Sequence, residues 1–452
     1  MKNTHFKTII LMFITVSCCT GCKKFLEEKS DKKLVVPSTM NALQALLDNY
    51  NFMNTKFSAA GETSADDYYL TGADYTALPS IFNKRMYTWE KDNLFDIGYN
   101  GNDWSSCYKA IYIATSVLDN LQKIERSNEW NNLKGQALVF RASRYLDAVQ
   151  TWSVPYDEQT RSKDLGLPLR LDPDFNGKSE RVSVEQTYNQ IITDLQSSIS
   201  LLPIKPLSQT RPSKAAAYGL LSRTFLAMGQ YANAGLYADS CLQLHNALLD
   251  YNILNASASF PIKDGNIEVI FYQAMSTPDV LNASRAKISL TLVQSYDSND
   301  LRNKIFFKAN SDGSFTFKGN YTGSSGRFTG ITSDEMLLNR SECFARSGNI
   351  SEAINDLNLL LSKRWKTGTF VPFKTTDKQY ALQLILTERR KELLMRGLRW
   401  FDIRRLNKDG ANIKLSRQIN GQDYTLIPNS IRFALPLPED VITLSGMQQN
   451  PR

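Results

Sequence analysis

A chain of 452 residues with 42% hydrophobic and 22% charged residues has an ordinary globular composition, and its length allows more than one domain. The formal charge of +8 comes from Lys and Arg spread along the chain and interleaved with acids, so the clustered basic face required by a nucleic-acid partner is absent from the sequence. After residue 20 no apolar run approaches the roughly 18 residues of a membrane-spanning helix.

The start reads as a leader. Lys2 and Lys7 precede an uncharged run, 8–21, whose apolar heart, 9–16, is long enough for a signal-peptide core and too short to span a bilayer. Gly21-Cys22 places a small residue directly before a cysteine, as in a bacterial lipobox, where the thiol is acylated and becomes the new N-terminus. Cys19 stands where an aliphatic residue is usual, which keeps Ser17-Cys18 open as the alternative. Residues 1–21 are thus expected to be a lipoprotein signal peptide and Cys22 the lipidation site, with several acyl chains as the membrane anchor.

Helical periodicity dominates the remainder. The clearest case is 184–202: Ser183 can cap, Gln186 completes a capping box, Tyr188, Ile191, Ile192, Leu195, Ile199 and Leu202 form one apolar stripe, and Pro203 ends it. Helices are also expected near 41–51, 103–124, 133–152, 213–228, 231–245, 333–346, 350–363 and 377–394, most of them paired across short turns. Trp104, Tyr108 and Tyr112 follow helical spacing and read as core. The stretches around Gly229 and Gly348 share a pattern, with Ala five residues after Gly (Ala234, Ala353) and an apolar residue two after it. That is the turn of a tetratricopeptide-like hairpin, but the two copies lie too far apart for a tandem array of about 34-residue units. The hairpins must be interrupted.

The interruptions are loop-rich: 54–102, 155–182 and 246–332 are rich in Gly, Pro, Ser, Asn and aromatics, with short β-like runs at 268–273 and 314–318. Long irregular segments in a compact protein are usually functional, so they are expected to cover one side of the scaffold as a ligand surface. Cys107, Cys241 and Cys343 are scattered on expected helices and read as small buried hydrophobes. His245 is the only histidine after the leader, which leaves a Ser-His-Asp or Cys-His arrangement little to use, and no Walker A, G-x-G-x-x-G or H-E-x-x-H motif occurs.

The segment 387–406 reads T-E-R-R-K-E-L-L-M-R-G-L-R-W-F-D-I-R-R-L. As one helix it would pair Glu392 with Arg396, Arg399 with Asp402 and Asp402 with Arg405 on a salt-bridged surface, while Leu393, Gly397 and Phe401 share another face. Trp400 and Phe401 read as core, and Gly397 should mark a bend or a close backbone approach.

This segment resembles the E-R-R-x-E-L-x-x-E-G-x-R-W-F-D-L-R-R pattern of the SusD/RagB family, the surface glycan-binding lipoproteins of Bacteroidetes, with Met395-Arg396 departing from it. The Cys22 start and the tail F-A-L-P-L-P at 433–438, closing with Gln449-Asn450-Pro451, are similar to the same family in the same order. The resemblance implies a mostly α, SusD-like fold in one domain, 22–452, with a helical scaffold over about 103–245 and 333–406 and a few short strands. It also implies a glycan ligand, a partner TonB-dependent (SusC-like) outer-membrane transporter, and an outer-membrane, lipid-anchored location facing the exterior, with no catalysis.

Candidate ligand residues come from two segments. Asp66, Asp67, Tyr68, Tyr69, Tyr75, Tyr87 and Trp89 combine carboxylates that accept sugar hydroxyls with rings that stack on sugar faces, in the region from which SusD-like proteins draw binding residues. Tyr321, Arg327 and Phe328 flank a Gly/Ser-rich loop. Two rival readings are a surface glycosidase acting through Asp66 or Asp67, and a peptide-capturing or adaptor lipoprotein of tetratricopeptide type.

Overall fold

The computed structural model describes residues 38–95, 103–174 and 176–452; the leader, Cys22 and the 96–102 stretch lie outside them. Short helices come first: α1 (Met40–Leu47), where the Thr39 hydroxyl accepts the Ala42 N–H, then α2 (Ala60–Ser64) and α3 (Ile81–Tyr87). The scaffold begins with α4 (Asp103–Leu121), α5 (Asn128–Trp152), α6 (Val184–Ile199), α7 (Lys214–Ala227) and α8 (Tyr231–Leu244). It resumes with α9 (Ser333–Ser347), α10 (Ile350–Ser362), α11 (Lys378–Glu392) and α12 (Arg399–Lys408).

Local chemistry sets these boundaries. Ser183 and Gln186 form the reciprocal capping box of α6, satisfying two N–H groups that the first turn leaves without helical partners. Gly229 and Gly348 adopt φ of 72° and 90° in the α7–α8 and α9–α10 turns, and Ala234 and Ala353 are fully buried where the second helix of each hairpin meets the first. Both turns therefore have the expected chemistry: left-handed backbone at Gly, close packing at Ala.

Each helix from α4 to α8 packs against the next, and α9 packs against α10 and α11. Helix α8 also packs against α9 as consecutive helices do, although the whole 245–332 stretch intervenes. The fold is thus mostly α, built from interrupted hairpins. Cys107, Cys241 and Cys343 are buried and unbridged within it.

Beside their short helices, the strands of the intervening segments form two-stranded antiparallel ribbons and no larger sheet among the described residues. Two links tie the first loop-rich segment to the third: Tyr68–Tyr69 pairs with Lys287–Ile288, and Phe57 bridges Met275. A second apolar cluster, including Phe57, Tyr68, Tyr87, Val280, Phe306 and Phe328, forms beneath them.

The 387–406 segment departs from the expected single helix. Helix α11 stops at Glu392, Met395 and Gly397 take φ of 58° and 75°, and α12 starts at Arg399. A Cβ on Gly397 would lie 3.0 Å from Thr329 Oγ1 and 3.1 Å from Met275 Cε, so the glycine allows both the turn and the approach. Only the Asp402–Arg405 pair forms as expected, at 2.8 Å. Glu392 instead accepts from Arg302 (3.0 Å) and Arg364 (2.7 Å), and Arg396 donates to Asp334 (2.7 Å). These side chains are buried, so the segment is an interior ionic lattice rather than an exposed salt-bridged surface. Trp400 is fully buried, as expected.

Candidate functional site

Seven of the ten candidate ligand residues are interior. Tyr68, Tyr87 and Trp89 surround Arg417, whose guanidinium carbon lies 5.6, 3.6 and 4.6 Å from their ring centres. Arg417 in turn donates to the carbonyls of Thr63, Ala65 and Tyr87, and the Trp89 indole donates to Ser64 O at 3.0 Å. The three rings sandwich a buried cation that pins the loop, which corrects the expectation that they present faces to a ligand. Tyr321 donates to Glu268, Arg327 donates to Asn320 Oδ1 and Leu281 O (both 2.8 Å), and Phe328 packs against Tyr321. All three are buried and brace the 246–332 segment from within, so they too are corrected from surface to structural residues.

The carboxylate pair is committed as well. Asp66 accepts both nitrogens of the Arg399 fork at 2.6 and 2.9 Å, and Asp67 accepts Arg390 Nε at 2.8 Å. Burial opposes ionisation of Asp66, but Arg399, and after it Arg390, hold its pKa at about 2. Asp67 is buried, whereas Asp66 borders a groove of ≈ 870 Å³ along α11, with its oxygens occupied by arginine. Tyr69 and Tyr75 remain half-buried at the surface; Tyr75 carries Lys84 Nζ 5.8 Å above its ring.

The two linked loop segments leave a cavity of ≈ 280 Å³ between them. Its walls come from α2 (Thr63), α3 and its cap (Ser80, Phe82, Asn83), the start of α4 (Asp103) and the turn carrying Ser276 and Asp279. Phe82 and Phe95 line one side with their ring centres 6.1 Å apart. Asp103 accepts the Ala59 N–H at 2.9 Å and the Ser58 hydroxyl at 3.1 Å; burial raises its pKa against those bonds. The Asn83 side-chain amide and the Asp279 carboxylate make no hydrogen bond or ion pair with the described residues. The Thr63 hydroxyl is buried without a partner among them. Apolar rings beside uncommitted amide and carboxylate groups are the chemistry that holds a polyol ring.

A second groove, of ≈ 510 Å³, runs along α4 and is lined by Trp104, Tyr108, Tyr112 and Arg170. Tyr112 is 37% exposed, correcting its reading as core. Here the polar groups are largely used: Trp104 and Tyr108 stack on each other at 4.5 Å, the Tyr108 hydroxyl donates to Pro168 O, and Arg170 donates to Gly177 O. The smaller cavity therefore offers more free hydrogen-bonding capacity. The cavity shares the 54–102 segment with the first group of candidate residues, but Asn83 and Asp279 are not among them because they stand in unremarkable sequence contexts 196 positions apart.

Comparison with known proteins fits this architecture. A family model described as "Starch-binding associating with outer membrane" matches residues 24–226, and the SusD family model matches 307–452. The chain belongs to the SusD/RagB family. A SusD-like protein of Formosa agariphila is 22% identical over 412 residues, spanning 77% of this chain and 79% of the relative. Among solved structures, a putative sugar binding protein from Bacteroides vulgatus superposes with a TM-score of 0.75 at 21% identity, covering 92% of this chain and 99% of the other. A SusD superfamily protein from Bacteroides thetaiotaomicron gives 0.73 at 23% identity, covering 92% and 100%.

Proposed function

We propose that this protein is a cell-surface glycan-binding lipoprotein that captures oligosaccharide and passes it to a TonB-dependent (SusC-like) outer-membrane transporter for nutrient uptake. Family membership supports the carbohydrate ligand, and the cavity between the two loop segments is the observation that carries the reading to particular residues. The leader and Cys22 support a lipid anchor in the outer membrane, facing outward, with 22–452 as one domain. The ligand is bound and not cleaved: the adjacent carboxylates Asp66 and Asp67, the sequence's candidate catalytic pair, are held by arginines.

Titration calorimetry of the full chain against a glycan panel tests binding. Asn83→Ala and Asp279→Asn are each expected to weaken the bound glycan about tenfold or more with the melting temperature unchanged. Wild-type affinity in both variants would remove the cavity from the reading. Steady product release from any glycan would replace binding by hydrolysis, and peptide capture with no glycan bound would favour the adaptor class. Acyl labelling that persists in Cys22→Ala would move the anchor to Cys18 or Cys19.

A further inference from the structure

Resting on that reading, we propose that the Asn83–Asp103–Asp279 cavity selects a single uncharged sugar ring and rejects acidic sugars such as uronates and sulfated residues. The charged side chains lining it are Asp103 and Asp279, with no Lys, Arg or His among the described lining residues. The nearest cations on the same helix are directed elsewhere: Lys84 Nζ donates to Thr76 O at 2.8 Å and Arg85 Nη1 to Asn93 O at 2.5 Å. Beneath the floor, Arg144 directs its terminal nitrogens to the carbonyls of Phe52 and Lys56 (2.7 and 3.0 Å) and lies 3.5 Å from the Phe57 ring centre, with Nε buried without a partner among the described residues and its charge acting on Asp103.

A carboxylate or sulfate brought into this space would meet two acids and no base among the described lining residues, with Arg144 beneath them already set against Asp103, in a site where burial weakens solvent screening. Vicinal hydroxyls meet acceptors they can donate to, the Asp279 carboxylate and the Asn83 carbonyl oxygen, with the Asn83 NH₂ able to donate back. The apolar face of the ring would lie toward Phe82 and Phe95. Size sets the second half of the inference. A cavity of ≈ 280 Å³ falls just below the roughly 300–1,000 Å³ range of small-molecule sites, which suits one ring of a chain or branch rather than several in a row.

The test compares matched ligands on the full chain. One is a neutral hexose oligosaccharide that the panel shows to bind; the other is the same oligosaccharide with C6 of its terminal residue oxidised to the carboxylate. The neutral form is expected to bind at least tenfold tighter, Asp279→Asn to narrow that ratio, and Asp279→Lys to invert it. The methyl glycoside of the terminal hexose is expected to compete. Equal or tighter binding of the oxidised form to wild type overturns the charge selection, and failure of the methyl glycoside to compete overturns the single-ring claim. Absence of binding by every glycan instead defeats the glycan reading itself.

Discussion

Glu62 sits fully buried in α2, where Oε2 accepts the Gly397 N–H at 2.9 Å and Oε1 has no partner among the described residues. Burial, reinforced by Asp67, pushes its pKa up to about 8 from 4.5. An acid raised on folding costs nothing while protonated in both states, and it lowers stability as pH rises from about 4.5 to about 8, where only the unfolded chain releases its proton. Glu62→Gln is therefore expected to melt like the parent near pH 4 and to be more stable at pH 8, on the order of 1–3 kcal/mol; equal shifts at both pH values would refute the assignment. Arg417 makes the opposite kind of contribution. Its removal leaves three carbonyls and three rings around an empty centre, so Arg417→Ala should lose roughly 3–5 kcal/mol in urea titrations, with Arg417→Lys in between. This residue also explains what the sequence concealed. Tyr68, Tyr87 and Trp89 resemble a sugar platform in their own segment, and the cation that turns them inward lies more than three hundred positions away.

At the scale of elements, local rules were readable wherever the decisive partner was a few residues away. The α6 capping box and the Gly–Ala turns of the two hairpins are of this kind. At the break between α11 and α12 only Gly397 was a signal, as the mark of a bend or a close approach; that the helix ends there depends on what approaches Gly397 from distant segments. Thr329 and Met275 crowd that glycine, whereas no atom lies within 4 Å of a Cβ placed on Gly348. Both glycines have positive φ, so Gly348→Ala should cost about 1 kcal/mol and Gly397→Ala at least twice as much. Denaturant midpoints of the two variants measure the difference; equal losses would mean that the approach at Gly397 is not what fixes the turn. Trp400→Ala, by emptying a fully buried site that packs against Gly61, should cost about 3–5 kcal/mol by the same assay.

For the whole molecule, the ionic lattice predicts how stability depends on pH. Burial opposes ionisation of Asp300, Asp334, Glu342 and Asp402, yet Arg302, Arg396, Arg405 and Arg389 respectively overcome it and hold these acids below the ordinary carboxylate range. Depressed acids stabilise above the unfolded pKa and lose that contribution as pH falls, so unfolding should set in below about pH 4. Glu62, and Asp147 at about 7, work the other way on the neutral side, raised first by burial. Denaturant titrations from pH 3 to 9 should therefore find maximal stability near pH 5 to 6; a continued rise through pH 8 would contradict this. The same lattice bears on how the chain could be rebuilt. The Ser333 hydroxyl donates to Ala247 O, so the two ends of the 246–332 segment meet where α8 packs on α9. In engineering terms this segment is a cassette with a closed mouth, replaceable without resetting the helices provided that the graft brings its own equivalents of Glu268 and Arg302 to dock with Arg364, Glu388 and Glu392, and of Met275 and Thr329 to approach Gly397.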